Sequence, residues 1–382
     1  MVSSQCHISV TMSFPVIPYQ SEILLSLAIF LAVLLSLISI SSLSTARLDY
    51  DGKHVIVTGG SSGIGLECAK IYAKKGANVT IIARDKSRLS KAVDEVEACK
   101  VAGRRILSIS VDVSSSQEAV NLAIAPCLRE YGSADVLVNC AGISVAGGFD
   151  ELDSADFERM LRVNVLGSIY PTRAVLEGMK LKGNGRIVFV SSQAGQAAIH
   201  GFTAYAPSKW ALRGLAEALQ MEVKSFGILV SVAYPPDTDT PGYKEEMTTK
   251  PEITKKLSES GSVFSPVVVA NDIVTYSAKG YFGISTGLDG WLLKQVHPGM
   301  TPCNNLWEVS QGIFFSPLCR FIALFYIIGW EWECNSFVKK QKNKDGLIVP
   351  SERKIGEEGT NRTERSTSSM VTRGSAIKAK RT

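Results

Sequence analysis

Histidine and paired cysteine are scarce in this 382-residue chain. Its four histidines, His7, His54, His200 and His297, stand at no ligand spacing. Its eight cysteines, at positions 6, 68, 99, 127, 140, 303, 319 and 334, form no C-x-x-C pair and no cluster. A zinc centre or a disulfide framework is therefore excluded as the organising principle, and no metal is expected. Net charge is also thin through most of the chain. Residues 339–382 hold 12 Lys/Arg against 5 Asp/Glu, and everything before them sums to −2, so a nucleic-acid-binding core is excluded. No internal repeat is visible, and no Lys or Arg precedes Arg47.

What is present begins with an apolar run. Ile23 to Leu43 is 21 residues without a charge, and at ~1.5 Å rise per residue such a helix crosses the ~30 Å core of a bilayer. It exceeds the ~7 to 15 apolar residues of a cleaved signal, so residues 23–43 are expected to be a transmembrane anchor, with 1–22 on the lumenal side. Arg47 and Lys53 follow the run, which places the rest of the chain in the cytosol by the positive-inside rule. A second apolar stretch, Ile313 to Trp330, is broken by Pro317 and Arg320. It reads as a re-entrant or interfacial segment within a membrane-associated region, 301–338, in contact with membrane lipids. Residues 339–382, rich in Lys, Glu, Ser and Thr, read as a disordered basic tail. Its last five residues, KAKRT, resemble the lysine-based signal that returns membrane proteins to the endoplasmic reticulum.

Between these segments lies a soluble domain, about 51–300. Short β-branched runs alternate with longer helical stretches, the pattern of an α/β, doubly wound parallel sheet with crossover helices. The strands are expected at His54 to Thr58, Asn78 to Ala83, Ile106 to Val111, Val136 to Asn139, Gly185 to Ser191 and Ile228 to Ala233. Helices are expected at 65–75, 85–100 and 114–131, and Met221 in LAEALQMEV reads as core.

Directly after the first strand comes Thr58-Gly59-Gly60-Ser61-Ser62-Gly63-Ile64-Gly65, opening onto a helix. A turn without Cβ atoms lets backbone approach a pyrophosphate, and the helix end receives its charge. Gly59, Gly63 and Gly65 serve that need in a Rossmann-type nucleotide site. At the end of the second strand no acid is present for a ribose 2′-OH. Ala83 is followed by Arg84, with Arg88 a turn later, a choice that favours NADPH over NADH. Asp85, between them, argues the other way.

Tyr205 and Lys209 stand four apart on an expected helix and so share one face, with Ser192 thirteen residues before Tyr205. The set suits carbonyl reduction. An ammonium lowers a phenol's pKa and speeds proton transfer to a forming alkoxide, a serine hydroxyl binds the carbonyl oxygen, and hydride comes from a nicotinamide. Pro207 between them is tolerable only in the helix's first turn. Side chains alternate along a strand, so only one of Ser191 and Ser192 can face the site.

These elements, in this order, resemble the short-chain dehydrogenase/reductase family over about residues 51–270. The resemblance implies the Rossmann fold, a nicotinamide cofactor and a homodimer. It implies cofactor contacts from Ser61, Ser62 and Ile64 in the glycine loop, from Asp112 and Val113 after the third strand, from Asn139 in NCAG and from Thr240. It implies a place for Asn164 in a proton relay with Lys209, and it favours Ser192 over Ser191. Pro236 stands where the family usually has glycine. Within the family, VSSQAGQ, the stretch around Tyr205 and VAYPPDTDTPGY resemble the 3-ketodihydrosphingosine reductases. That narrower likeness implies NADPH-dependent reduction of a long-chain amino ketone at the cytosolic face of the endoplasmic reticulum. Asp237 or Asp239 would then pair with the substrate ammonium. A membrane-anchored reductase of a steroid, retinoid or fatty acyl ketone shares the same catalytic residues, and a scaffold that binds NADP without turnover is the reading from another class.

Overall fold

The computed structural model describes residues 47–258, 262–297, 299–303 and 305–344, with scattered positions between 22 and 36. The chain falls into two units, Met1–Phe337 and Val338–Thr382, and the features below belong to the first, apart from the final residues of the last helix. The expected anchor at 23–43 lies largely outside the described residues; those described within it, 28–33 among them, are helical.

Seven parallel strands form one sheet in the order β3-β2-β1-β4-β5-β6-β7. They are β1 His54–Thr58, β2 Asn78–Ala83, β3 Ile106–Ser110, β4 Val136–Asn139, β5 Gly185–Val190, β6 Ile228–Tyr234 and β7 Gly283–Ser285. Six match the expected strands to within a residue at each end. The seventh, three residues long, is too short to announce itself by composition.

Alternation along β1 divides the core. Val55 and Val57 pack with Cys68, Ala69 and Tyr72 of α1 (Gly63–Lys74) and with Ile273 and Val274 of α9 (Pro266–Ala278). Ile56 faces the opposite layer, with Ile124 of α3 (Gln117–Tyr131), Val175 of α5 (Gly167–Lys182) and Leu212 of α6 (Tyr205–Val223). Both faces of the central strands are thus covered, which is why they are apolar throughout. The outermost strand, β3, is only partly buried. The order reverses between β1 and β4, the switch point at whose carboxyl ends ligands bind in such sheets.

The remaining elements are α2 (Lys86–Glu97), α4 (Ser154–Met160), a π-helical turn at Leu161–Leu166, α7 (Pro241–Thr249), α8 (Glu252–Ser258), α10 (Gly287–Val296) and α11 (Leu306–Lys344). Two expectations are corrected here. Met221 is not core: α6 turns it outward, and its side chain is 82% exposed. The second apolar stretch is not broken at Pro317 or Arg320. Both lie inside one helix of 39 residues, which runs on to Lys344 and so into the segment expected to lack structure. Proline removes a single N–H donor, and the apolar turns on either side continue the helix. Among the described residues α11 is the one helix long and apolar enough to cross a membrane, with mean hydropathy 1.8 in its most apolar window.

Candidate active site

The glycine loop joins β1 to α1 at the switch point. Gly59 holds φ +67°, and a Cβ there would lie 2.7 Å from the backbone nitrogen of Ala141. A Cβ on Gly65 would lie 2.4 Å from the carbonyl oxygen of Gly59. Both positions therefore require glycine for lack of room, and Gly59 for its conformation as well. Gly60 joins them, since a Cβ would fall 2.0 Å from Ile81 Cγ2, a requirement the spacing alone did not single out. Ser62 is the N-cap of α1 but its side chain makes no capping bond. The first N–H groups of α1 are thus left to an anion, which fits a dinucleotide pyrophosphate.

Thr58 secures the facing turn. Its hydroxyl accepts from the N–H groups of Cys140 (3.1 Å) and Ala141 (3.2 Å). Asn139 donates to Thr172 Oγ1 at 3.0 Å. Asp112 accepts from both the N–H and the hydroxyl of Ser114, which orients the loop containing Val113, and its other oxygen lies 3.9 Å from Arg84 Nη1. Arg84 and Arg88 both line the cavity at the end of β2. Asp85 lines it too: its carboxylate accepts from Arg88 N at 3.0 Å as the N-cap of α2, and its other oxygen lies 3.6 Å from Arg88 Nε.

The catalytic candidates meet at the carboxyl end of β5. Ser191 turns inward and donates to the carbonyl of Lys209 at 2.9 Å. Ser192 lines the cavity beside Tyr205 and accepts from Ala194 N at 3.1 Å. Helix α6 starts at Tyr205, so Pro207 falls in its first turn and costs no helical bond. Lys209 is buried, donates to Val190 O at 3.0 Å and lies 5.7 Å from the centre of the Tyr205 ring. Asn164 sits in the π-helical turn. It brackets Ile143, accepting from its N–H and donating to its carbonyl, and donates to Ser208 Oγ at 2.9 Å. A Cβ on Gly142 would lie 3.2 Å from Asn164 Oδ1 and 3.4 Å from Lys209 Nζ, so both side chains converge on one spot.

Electrostatics here differ from the simple phenol and ammonium pair. Burial pushes the Tyr205 phenol above its ordinary value, Glu246 and then Asp237 push the same way, and the Ser192 hydroxyl pulls it down. Burial brings Lys209 down to about 8. Low dielectric acts on both groups more strongly than either acts on the other. The consequence suits reduction: at neutral pH the phenol keeps the proton it must give, and the lysine remains mostly protonated yet near its titration point.

The loop after β6 separates the two aspartates. Asp237 lines the cavity, 3.8 Å from Lys250, and burial holds its carboxyl above the ordinary range. Asp239 is exposed and paired with Lys244 at 3.1 Å, away from the cavity lining. Thr240 caps α7 by accepting from Tyr243 N, and its methyl lies against Gly63, which ties the loop to the nucleotide side. Two residues escaped sequence reasoning. Glu246 lines the cavity and forms an ion pair of 3.1 Å with Lys250, whose side chain is fully buried. Glu246 comes from a helix that sequence alone did not mark and Lys250 follows directly after it, and nothing in their spacing announces them.

One cavity of about 1000 Å³ takes in the glycine loop, Ser192, Tyr205, Lys209 and Asp237. No group of three metal-ligating side chains occurs among the described residues.

Residues 53–251 match the short chain dehydrogenase family. The chain is 48% identical over 302 residues to a 3-dehydrosphinganine reductase of Danio rerio, covering 78% of this chain and 91% of that one. It is 47% identical over 307 residues to a 3-ketodihydrosphingosine reductase of Bos taurus, covering 80% and 92%. A 3-ketodihydrosphingosine reductase of Dictyostelium discoideum is 38% identical over 288 residues, covering 72% and 85%. The crystal structure of levodione reductase shares the fold, with a TM-score of 0.56 at 22% identity over 61% of this chain and 95% of that one.

Proposed function

The chain belongs to the short-chain dehydrogenase family and is an oxidoreductase that works with a nicotinamide cofactor; from that premise we propose that it reduces 3-ketosphinganine to sphinganine with NADPH, in sphingolipid synthesis. The observation that carries this reading is the sharing of one cavity by the glycine loop and by Ser192 and Tyr205, in a chain that spans nine-tenths of reductases named for that substrate.

The cofactor, when bound, supplies hydride to the carbonyl carbon. The protein supplies the rest. The loop 59–65 and the open amino end of α1 hold the pyrophosphate. Arg84 and Arg88 favour a 2′-phosphate, while Asp85, which lines the same end of the cavity, is engaged as a helix cap and by the Arg88 guanidinium. Ser192 donates to the carbonyl oxygen as negative charge develops, and Tyr205 delivers the proton that makes it a hydroxyl. Lys209 stands behind Tyr205 as a charge that favours proton loss, and Asn164 holds the backbone of Ile143 at the site's edge. Asp112, Val113, Asn139 and Thr240 complete the nucleotide side.

We assign the substrate ammonium to Asp237, with Glu246 beside it. Two carboxylates face one ammonium, Lys250, which leaves this corner of the cavity with a negative balance that a protonated amine would neutralise. Asp239 is not retained for that role. The exposed Leu161 and Met221, on the turn and helix that carry Asn164 and Tyr205, support association of two copies of the chain. Helix α11 supports attachment to a membrane, and Arg47 and Lys53 after the first apolar run support an active site in the cytosol, as for a reductase of the endoplasmic reticulum membrane.

The test is to give membranes containing the full chain 3-ketosphinganine with NADPH or NADH and measure sphinganine. Formation with NADPH is expected; no sphinganine with either nucleotide would refute the substrate.

A further inference from the structure

The cavity does not end at Tyr205. It continues away from the glycine loop to α11, walled by Leu257, Leu292 and Val296 on one side and by Ala323, Ile327 and Trp330 on the other. On α11 the lining runs from Cys319 to Cys334 through residues one, three and four apart, Arg320 and Glu331 among them, one broad face of a helix over about 22 Å of its length. The opposite face is also apolar. Phe314, Leu318, Phe321, Phe325, Ile328 and Trp332 are all exposed and follow the same spacing of three and four. One helix therefore separates an internal apolar channel from an external apolar surface.

Water would favour neither face, and a soluble helix of this kind would turn one of them to solvent with polar groups. A channel long in one direction, lined mainly by aliphatic and aromatic side chains with Arg320 and Glu331 among them, suits a flexible chain better than a fused-ring nucleus. Its continuity with the site around Tyr205 decides which chain: the one attached to the ketone.

We infer that the arm of the cavity between α8, α10 and α11 binds the single long alkyl chain of the substrate, with α11 as the wall shared between that channel and a bilayer. This rests on the reductase reading above and adds the location of the tail and the residues that measure its length. Ala323 is the narrowest side chain named in the wall, and bulk placed there would close the channel to the far end of a chain while leaving the head at Tyr205 untouched.

The experiment uses the full chain in detergent micelles with NADPH and 2-amino-3-ketones of increasing chain length. For the native protein kcat/KM is expected to rise with each added methylene, at most about 4-fold per group, the equivalent of ~0.8 kcal/mol per buried CH₂. In Ala323→Trp the rise should stop early, with a loss of ten-fold or more on the longest ketone and less than two-fold on the shortest. Phe325→Ala, on the outer face, should keep the native profile in micelles. NADPH binding, which needs the glycine loop and not α11, reports that each variant is folded. If Ala323→Trp fails that check, Leu292→Ala provides the readout without added bulk, and its slope with chain length should be shallower. A native profile in the variant that passes, or equal losses on short and long ketones, overturns the channel while leaving the reductase reading intact. A native protein that turns over no ketone of the series at all refutes that reading instead.

Discussion

The nucleotide half of the cavity and its lipid half are built on different principles. Around β1, β2 and β4 the turns of the nucleotide site are dictated by lack of room. Gly59, Gly60 and Gly65 are fixed by atoms within 3 Å of an imagined Cβ, and Thr58 bolts the facing turn by two N–H bonds. Around α7, α8 and α11 the site is made of side chains: ion pairs of Lys250 with Glu246 and Asp237, and a wall of aliphatic and aromatic groups on a helix exposed on its other side. The first half tolerates almost no change and recognises what all nicotinamide dinucleotides share. The second is adjustable by substitution, and that is where a choice among ketones can be made.

The largest effect should come from the rigid half. Gly65→Ala places a methyl group against the Gly59 carbonyl, and a loss of about 1–3 kcal/mol of stability together with NADPH binding is expected. Thermal unfolding with and without nucleotide measures both, and a variant that binds NADPH normally would break the contrast. Arg84→Ala should raise KM for NADPH by about 10- to 100-fold, the range of a charged hydrogen bond, and leave KM for NADH nearly unchanged. An NADPH preference that survives the change removes Arg84 from cofactor choice.

On the adjustable side, Asp237→Asn should lower kcat/KM on the amino ketone by about ten-fold and leave the matched ketone without the amine within two-fold. Equal losses on both would make Asp237 a structural residue of its loop. The smallest effect is a pH dependence whose sign is set by Lys209. Its folded pKa, about 8, lies below the ordinary 10.5. Reduction should therefore fall as pH rises through 8 and the ammonium is lost. Stability moves the other way. Between about 8 and 10.5 the unfolded chain holds a proton that the folded one has released, so the lysine's destabilising contribution is full at neutral pH and fades as pH rises. Lys209→Met should raise the melting temperature at pH 7; a lower one would contradict the assigned direction.

The same contrast explains what could be read from the chain alone. Six strands, the glycine loop, and the set of Ser192, Tyr205 and Lys209 were legible because local backbone demands dictate residue type at fixed spacings. Strand alternation allowed only one of Ser191 and Ser192 to face the site, and the family resemblance, not the alternation, chose Ser192. Glu246 and Lys250 were not legible, since Glu246 reaches the cavity, and Lys250 its ion pair with Glu246, only through the path of the chain after β6, where Lys250 sits over the Phe202 ring. Asp237 and Asp239 looked alike in sequence, and only the path of the loop separates them. Pro317 and Arg320 read as interruptions because their local preferences outweigh, on paper, the apolar turns that carry α11 through them. Met221 looked like core because an apolar residue in an apolar helix does not announce which way it points.

The central claim is that Tyr205 gives the proton in a hydride transfer to a lipid ketone. The direct measurement is NADPH oxidation by Tyr205→Phe with 3-ketosphinganine, alongside a titration of NADPH binding to the same variant. A fall of about 10²- to 10⁴-fold in turnover with binding unchanged is the predicted result. Turnover at the native rate would contradict it.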